Sequence, residues 1–163
     1  MPVSLNGWQV PPPKLKTFQV PGANRRLTLD SDAGPLLVAL AADYHKTVRP
    51  IDVGPWDEGG FNDRDARLAA GRKSNHASGT AVDLNWSKEG AQGSQAGKTF
   101  FSKVAVQAKV LLLKKRYGSV VQWGGDWRAK DYMHWEIKPG ASRAKVKALI
   151  KKLGITPEGV RKA

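Results

Sequence analysis

Two stretches of this chain hold side chains that can do chemistry together. The first is Ser74-Asn75-His76-Ala77-Ser78-Gly79-Thr80-Ala81-Val82-Asp83, and the second is Asp131-Tyr132-Met133-His134-Trp135-Glu136. Two neutral imidazoles and one short carboxylate can hold a single divalent ion. Three protein ligands leave a fourth position open, as a hydrolytic zinc site requires. A metal so held lowers the pKa of water to about 7 and polarises a carbonyl. The chemistry also needs a carboxylate that takes a proton and returns it to a leaving amine. Asp131 and Glu136 flank His134 and both qualify; the spacing leaves open which is the base and which orients an imidazole. The chain has no cysteine. Disulfides and thiolate metal sites are therefore excluded, and His, Asp and Glu remain as ligands.

These residues need elements to mount them. Ala81–Trp86 alternates, with Val82, Leu84 and Trp86 on one face and Ala81, Asp83 and Asn85 on the other, which predicts a strand that carries Asp83 off its apolar face. Met133–Ile137 predicts another strand, with His134 and Glu136 on one side and Met133, Trp135 and Ile137 on the other. Ser119–Trp123 predicts a third. If these strands pair, His76, Asp83 and His134 converge. A helix is expected over about 33–48, capped among Asp30, Ser31 and Asp32, with Pro35 in its first turn and Leu36, Leu37, Leu40, Tyr44 and Val48 facing the core. A second is expected over about 100–117, with Phe101, Val104, Ala108, Leu111 and Leu112 as its buried stripe and Gly118 as its stop. Residues 51–75 and 87–98 read as loops. The fold class is α+β: a small antiparallel sheet carrying the zinc site, with helices packed against it. The expected divisions are an irregular N-terminal segment over 1–30, a catalytic domain over 31–140, and a basic amphipathic helix and tail over 141–163. His45 reads as a helix-end residue outside the chemistry.

The pattern Ser74-x-His76-x-x-Gly79-x-Ala81-x-Asp83, followed by Asp131-x-x-His134-Trp135, resembles the M15 class of zinc peptidases. That class includes D-Ala-D-Ala carboxypeptidases and dipeptidases, and the L-alanyl-D-glutamate peptidases of phage endolysins. The longer run over 74–85, and Trp123-Gly-Gly-Asp-Trp127 ahead of Asp131, is similar to the phage-lysin branch; the resemblance covers roughly residues 30 to 138. It implies that His76, Asp83 and His134 hold Zn2+ and that Asp131 is the general base, where many relatives carry Glu. It also implies an upstream arginine that grips the substrate. The run Gly59-Gly60-Phe61-Asn62-Asp63-Arg64 makes Arg64 the candidate, with Arg67 and Arg72 close by in sequence. Ser74, Trp123 and Trp127 are expected to touch substrate or shape the cleft, and Trp135 to lie in the core.

Bulk properties agree with such a role. The 163 residues suit one domain, and the formal net charge is +13, which favours an anionic partner. Hydrophobic residues make up 40% of the chain, enough for a core. No apolar run is long enough to span a bilayer, and the N-terminus lacks the pattern of a secretory signal. The expectation is a zinc-dependent, endolysin-like peptidoglycan peptidase made in a host cytoplasm and acting on the wall, where it cuts a stem-peptide amide, L-Ala-D-Glu. Peptidoglycan and anionic wall polymers are the expected partners; a membrane span and nucleic acid are not expected. The alternatives are a D-Ala-D-Ala carboxypeptidase and a non-enzymatic basic module that binds wall or nucleic acid.

Overall fold

A computed structural model describes residues 2–89 and 93–162. The element order is β1 (Leu15–Gln19), β2 (Arg26–Asp30), α1 (Gly34–Thr47), β3 (Asp65–Ala66), β4 (Ala69–Lys73), β5 (Ala81–Asp83), α2 (Trp86–Glu89), α3 (Gln95–Phe101), α4 (Val104–Tyr117), β6 (Val121–Trp123), β7 (His134–Ile137) and α5 (Arg143–Lys152). A single 3-10 turn, Gly124–Asp126, follows β6. The architecture is α+β, with small antiparallel sheets and helices packed on them, as the alternation of patterns predicts.

The three-stranded sheet runs β5-β7-β6. Its register places Asp83 opposite His134, and sets Glu136 of the central strand between Ala81 of β5 and Gln122 of β6. One face of this sheet is apolar. Val82, Trp135 and Ile137 are fully or almost fully buried, and Trp135 stacks on Trp123 with centroids 5.6 Å apart. The pleat sends the alternate residues to the other face. There the polar group of the candidate site assembles.

α1 passes through the centre of the domain. Leu36 to Ala41 are all buried in unbroken succession, so this helix is enclosed on every side rather than along one stripe. It meets α4, α5, β1 and β2, and Tyr44 sets its ring edge-on to Trp135 at 6.5 Å. The cap expected among residues 30–32 is not made: the N-cap is Ala33, without a side-chain bond, and Asp30 Oδ1 instead accepts from the N–H groups of Asp32 and Ala33 in the turn ahead of the helix.

Several expectations are corrected by packing. The N-terminal stretch is not irregular throughout. It contains the β1–β2 hairpin, whose register pairs Phe18 with Leu27, because Phe18, Val20, Leu27 and Leu29 all enter the core. The loop expected over 51–75 contains the β3–β4 hairpin. Of the loop expected over 87–98, residues 90–92 lie outside the described residues, while α2 and α3 occupy both flanks. The long helix expected over 100–117 is two helices. α3 ends at Phe101, and Lys103 takes an extended conformation before α4 begins. That break resets the helical phase, so α4 buries Val106, Val110, Leu113 and Tyr117, whereas Val104, Leu111 and Leu112 face solvent. Trp86, expected on the apolar face of β5, instead opens α2, because Asn85 turns the backbone with φ 57°. In α5, Val146 and Leu149 are buried as expected, and Arg143 binds both Asp30 and Asp32.

Candidate metal centre

His76 sits in a turn locked by short-range bonds. Its N–H donates to Ser74 Oγ at 3.1 Å, and the N–H of Gly79 donates to its carbonyl at 3.1 Å. Gly79 has φ +69°, and a Cβ there would lie 2.5 Å from the backbone nitrogen of Asp30; only glycine accepts both the conformation and the contact. The N-terminal segment braces the same turn. Asn6 receives no help from sequence spacing, yet its N–H donates to Asn75 Oδ1, and its amide donates to Thr80 Oγ1 and to the carbonyl of Ile137, each at 2.8 Å. Ser4 Oγ lies 2.8 Å from Ser78 Oγ. These buried bonds tie chain start, turn and β7 together, and burial makes them costly to lose.

The cross-strand pairing of β5 with β7 brings Asp83 to His134, and the turn delivers His76 to the same carboxylate. Asp83 Oδ2 lies 3.1 Å from His76 Nε2, and Asp83 Oδ1 lies 3.1 Å from His134 Nδ1. One ligand atom from each of the three residues lies within 4.8 Å of the others, a grouping that can hold a metal ion. The remaining ring nitrogens are tied outward. His76 Nδ1 is 2.7 Å from the carbonyl of Gly60, and His134 Nε2 is 2.6 Å from Glu136 Oε1. Gln122 in turn donates to Glu136 Oε2 at 2.6 Å. Each imidazole therefore presents one nitrogen to a common point while a carbonyl or carboxylate fixes its far side, the arrangement that orients metal-bound histidines. His76 Nε2 is buried and has no aligned hydrogen bond. An orphaned buried nitrogen beside a carboxylate fits a metal.

The electrostatics have the same sense. Burial would raise the Asp83 carboxyl, but the charge of His76, the hydrogen bond from His134 and their remaining attraction overcome it and hold the carboxyl well below its ordinary range. Burial would lower His134, yet hydrogen bonds to Asp83 and Glu136 push it up to about 10. Glu136 is lowered: burial opposes its charge, and the bond from His134 prevails. In the protein alone, the proton held on His134 supplies positive charge to these carboxylates; a cation would supply it instead.

Asp131 reaches the site from the loop before β7. Its N–H donates to the carbonyl of Gly124 at 2.9 Å, and a Cβ on Gly124 would lie 2.3 Å from the Asp131 carbonyl oxygen. The Gly-Gly of the 123–127 run is thus what lets the loop fold back on itself. Asp131 is buried with Oδ1 unpartnered among the described residues. Desolvation raises its pKa, against the attraction of His134 and, more weakly, of Arg67.

Two cavities flank the cluster. One, of about 280 Å3, is lined by Ser74, Asp131, His134, Glu136, Leu68 and Trp127 among others. The second, of about 440 Å3, is lined by His76, Asp83, Phe61, Asn62 and Trp86. Arg64, Arg67 and Met133 line both. Of the three arginines considered, Arg64 and Arg67 reach the cleft walls and Arg72 does not line either cavity. Trp127 comes 5.2 Å from the His134 ring. Trp123 does not join the cleft: it is buried against Trp135 and borders a separate cavity. Asn6, Ser4, Glu136's partner Gln122, and Trp86 are the neighbours that residue patterns passed over.

Residues 68–137 match the model of a family described as D-alanyl-D-alanine carboxypeptidase. Over those residues the chain is similar to the M15 peptidases. The matched segment runs from the β3–β4 hairpin to the end of β7 and so contains His76, Asp83, Asp131 and His134, while Arg64 lies just outside it. Comparison with curated proteins and with solved structures gives no match. The match supports a peptidase, and the His/Asp/His group could hold a metal ion.

Proposed function

We propose that this protein is a zinc-dependent, endolysin-like peptidoglycan hydrolase that cuts the L-Ala-D-Glu amide of the stem peptide. The observation that carries the proposal is the inward pair of nitrogens, His76 Nε2 and His134 Nδ1, on the two oxygens of Asp83, each ring anchored on its far side. His76, Asp83 and His134 would hold Zn2+, which when bound polarises the scissile carbonyl and acidifies water.

The chain's own groups do the rest. Asp131 takes a proton from the attacking water as its oxygen bonds to the acyl carbon, then passes that proton to the nitrogen as the C–N bond breaks. A carboxyl raised by burial is better suited to returning the proton than an ordinary aspartate. Glu136 keeps His134 in one tautomer and orientation. Arg64 is the residue proposed to grip a substrate carboxylate or the developing oxyanion, and Arg67 shares both cavity walls with it. Ser74 holds the His76 turn, and Trp127 closes one side of the cleft.

A cleft that continues on both sides of the cluster suits a bond inside a chain, which supports the endopeptidase reading. The family description itself favours the second reading, removal of terminal D-Ala. Surface charge fits a wall substrate. Seven of the 14 acidic residues are buried, against Arg25 alone among the 27 lysines and arginines, so the exterior is more basic than the net charge conveys and would steer the protein to polyanions. No helix among the described residues is long and apolar enough to cross a membrane. The site of action is proposed to be the bacterial wall, reached from a host cytoplasm.

Mass spectrometry of purified peptidoglycan, digested with and without a chelator, tests this. New glutamate amino termini that vanish with chelator are expected. Chelator-sensitive free alanine would establish the carboxypeptidase reading instead, and no metal-dependent product from any wall type would overturn both.

A further inference from the structure

Trp86 stands in the cleft with no part in the steps above. It is 43% exposed and lines the larger cavity together with His76 and Asp83. A large exposed aromatic beside a reactive centre is the usual mark of a contact surface. Its mount is stiff. The N–H of Asn85 donates to Glu58 Oε2 at 3.0 Å, and Glu58 is held by Arg25 Nε at 2.7 Å. The N–H of Trp86 donates to the carbonyl of Asp57 at 3.0 Å. Gly59 lies against the ring, where a Cβ would stand 3.2 Å from Trp86 Cζ3. Gly59 is itself paired with Asp83 through two backbone bonds, of 3.0 and 2.8 Å. The buried Arg25–Glu58 pair thus locks the indole to the same bridge that carries the metal-cluster carboxylate.

Proton delivery decides which half of a substrate lies there. Asp131 borders only the smaller cavity, so the leaving amine must occupy that side, and the acyl half extends past His76 and Asp83 towards Trp86. In the first amide of a stem peptide the acyl half is the residue joined to the glycan. The larger cavity offers the indole of Trp86 with the side-chain amide of Asn62 on the same wall. A pyranose matches that surface: its C–H face lies on the electron-rich ring, and its hydroxyls meet the amide.

We propose that Trp86 is a sugar-stacking platform and a specificity-determining residue, which makes the enzyme select stem peptides still attached to their glycan. This rests on the peptidoglycan-peptidase reading and on Asp131 as the base.

The experiment compares kcat/KM for a disaccharide-linked stem peptide with that for the same peptide lacking sugar, in the zinc-loaded protein and in Trp86→Ala and Trp86→Phe. The wild type prefers the linked peptide, and the linked-to-free ratio falls about five- to tenfold in Trp86→Ala, the range of one aromatic contact, and less in Trp86→Phe. A ratio unchanged by Trp86→Ala overturns the platform. A second measurement needs no catalysis: N-acetylglucosaminyl-N-acetylmuramic acid is titrated while the indole N–H resonance of Trp86, assigned by its loss in Trp86→Phe, is followed by NMR. A saturable shift supports sugar contact, and an unmoved signal overturns it. If neither peptide is cleaved but the resonance shifts, the peptidase reading fails and the sugar platform stands. Equal cleavage of both peptides with no shift leaves the peptidase and removes the platform.

Discussion

Two of the buried polar clusters shift paired carboxylates in opposite directions. In the candidate metal centre Asp83 and Glu136 are held below the ordinary carboxylate range, because the charge and hydrogen bonds of the imidazoles outweigh burial. In the cluster around α2, burial dominates at the two glutamates. Glu58 is raised to about 7, even though Arg25 bonds to it, and Glu89 is raised to about 8, despite its bond from Tyr44 and the charge of Arg49. Both clusters are buried; in the first, imidazoles face the two carboxylates, whereas in the second a neighbouring acid, Asp57, adds to the effect of burial on both glutamates. Asp83 and Glu136 keep negative charge in place for a cation, whereas Glu58 and Glu89 hold their protons. Asp131 beside the first cluster is raised by burial, and Asp57 in the second is lowered against burial by bonds that include those to Ser87 and Lys88. A buried acid marks a metal site only where its neighbours maintain its charge.

The contrast can be broken from the metal side most severely. Asp83→Ala removes the shared carboxylate and leaves two imidazoles, so zinc stoichiometry should fall to near zero and wall hydrolysis by at least about a thousandfold; metal analysis and a turbidity assay would read both. Asp131→Asn should keep the zinc and lose about 10^2 to 10^4 in rate, as removal of a general base does. Loss of zinc from that variant would make Asp131 a ligand instead. Glu136→Gln should keep the fold and weaken zinc affinity by about 10- to 100-fold, since the far nitrogen of His134 loses its anionic partner; competition with a chromophoric chelator measures it.

The smallest effect comes from the second cluster. A carboxyl whose folded pKa is raised binds its proton more tightly in the native state. Its contribution to stability is full below the unfolded value near 4.5 and is lost as pH rises through about 8. Stability should therefore fall between pH 5 and 8, and Glu89→Gln should remove part of that fall, on the order of one or a few kcal/mol. Urea denaturation at several pH values checks it. An unchanged slope would mean that Glu89 is ionised in the folded protein, and the contrast between the clusters would collapse.

Some of this was legible along the chain because it depends on neighbours in sequence. α1 and α5 follow from helical spacing, and β7 from alternation that puts His134 and Glu136 on one side and Trp135, 1% exposed, on the other. The phase of α4 was not legible. A two-residue break at Ser102–Lys103 rotates the whole helix, and Leu112, 59% exposed, trades places with Leu113. The place of Trp86 was not legible for a similar reason: one left-handed residue, Asn85, ends the alternation of β5. The brace from Ser4 and Asn6 to the His76 turn spans some seventy positions and leaves no periodic trace.

What the sequence determined by itself is chemical: two imidazoles and a short carboxylate in Gly-bearing segments, further carboxylates beside the last histidine, no thiol, and a strong positive charge. Residue type is enough for that, since ligand preference and charge belong to the side chain. The tertiary structure decided which atoms face one another. Register set Asp83 against His134, a carbonyl and a carboxylate selected one nitrogen from each ring, and the loop closure at Gly124 separated Asp131 from Glu136 in position and in partner. Those outcomes depend on distances between segments remote in sequence, and only packing fixes such distances.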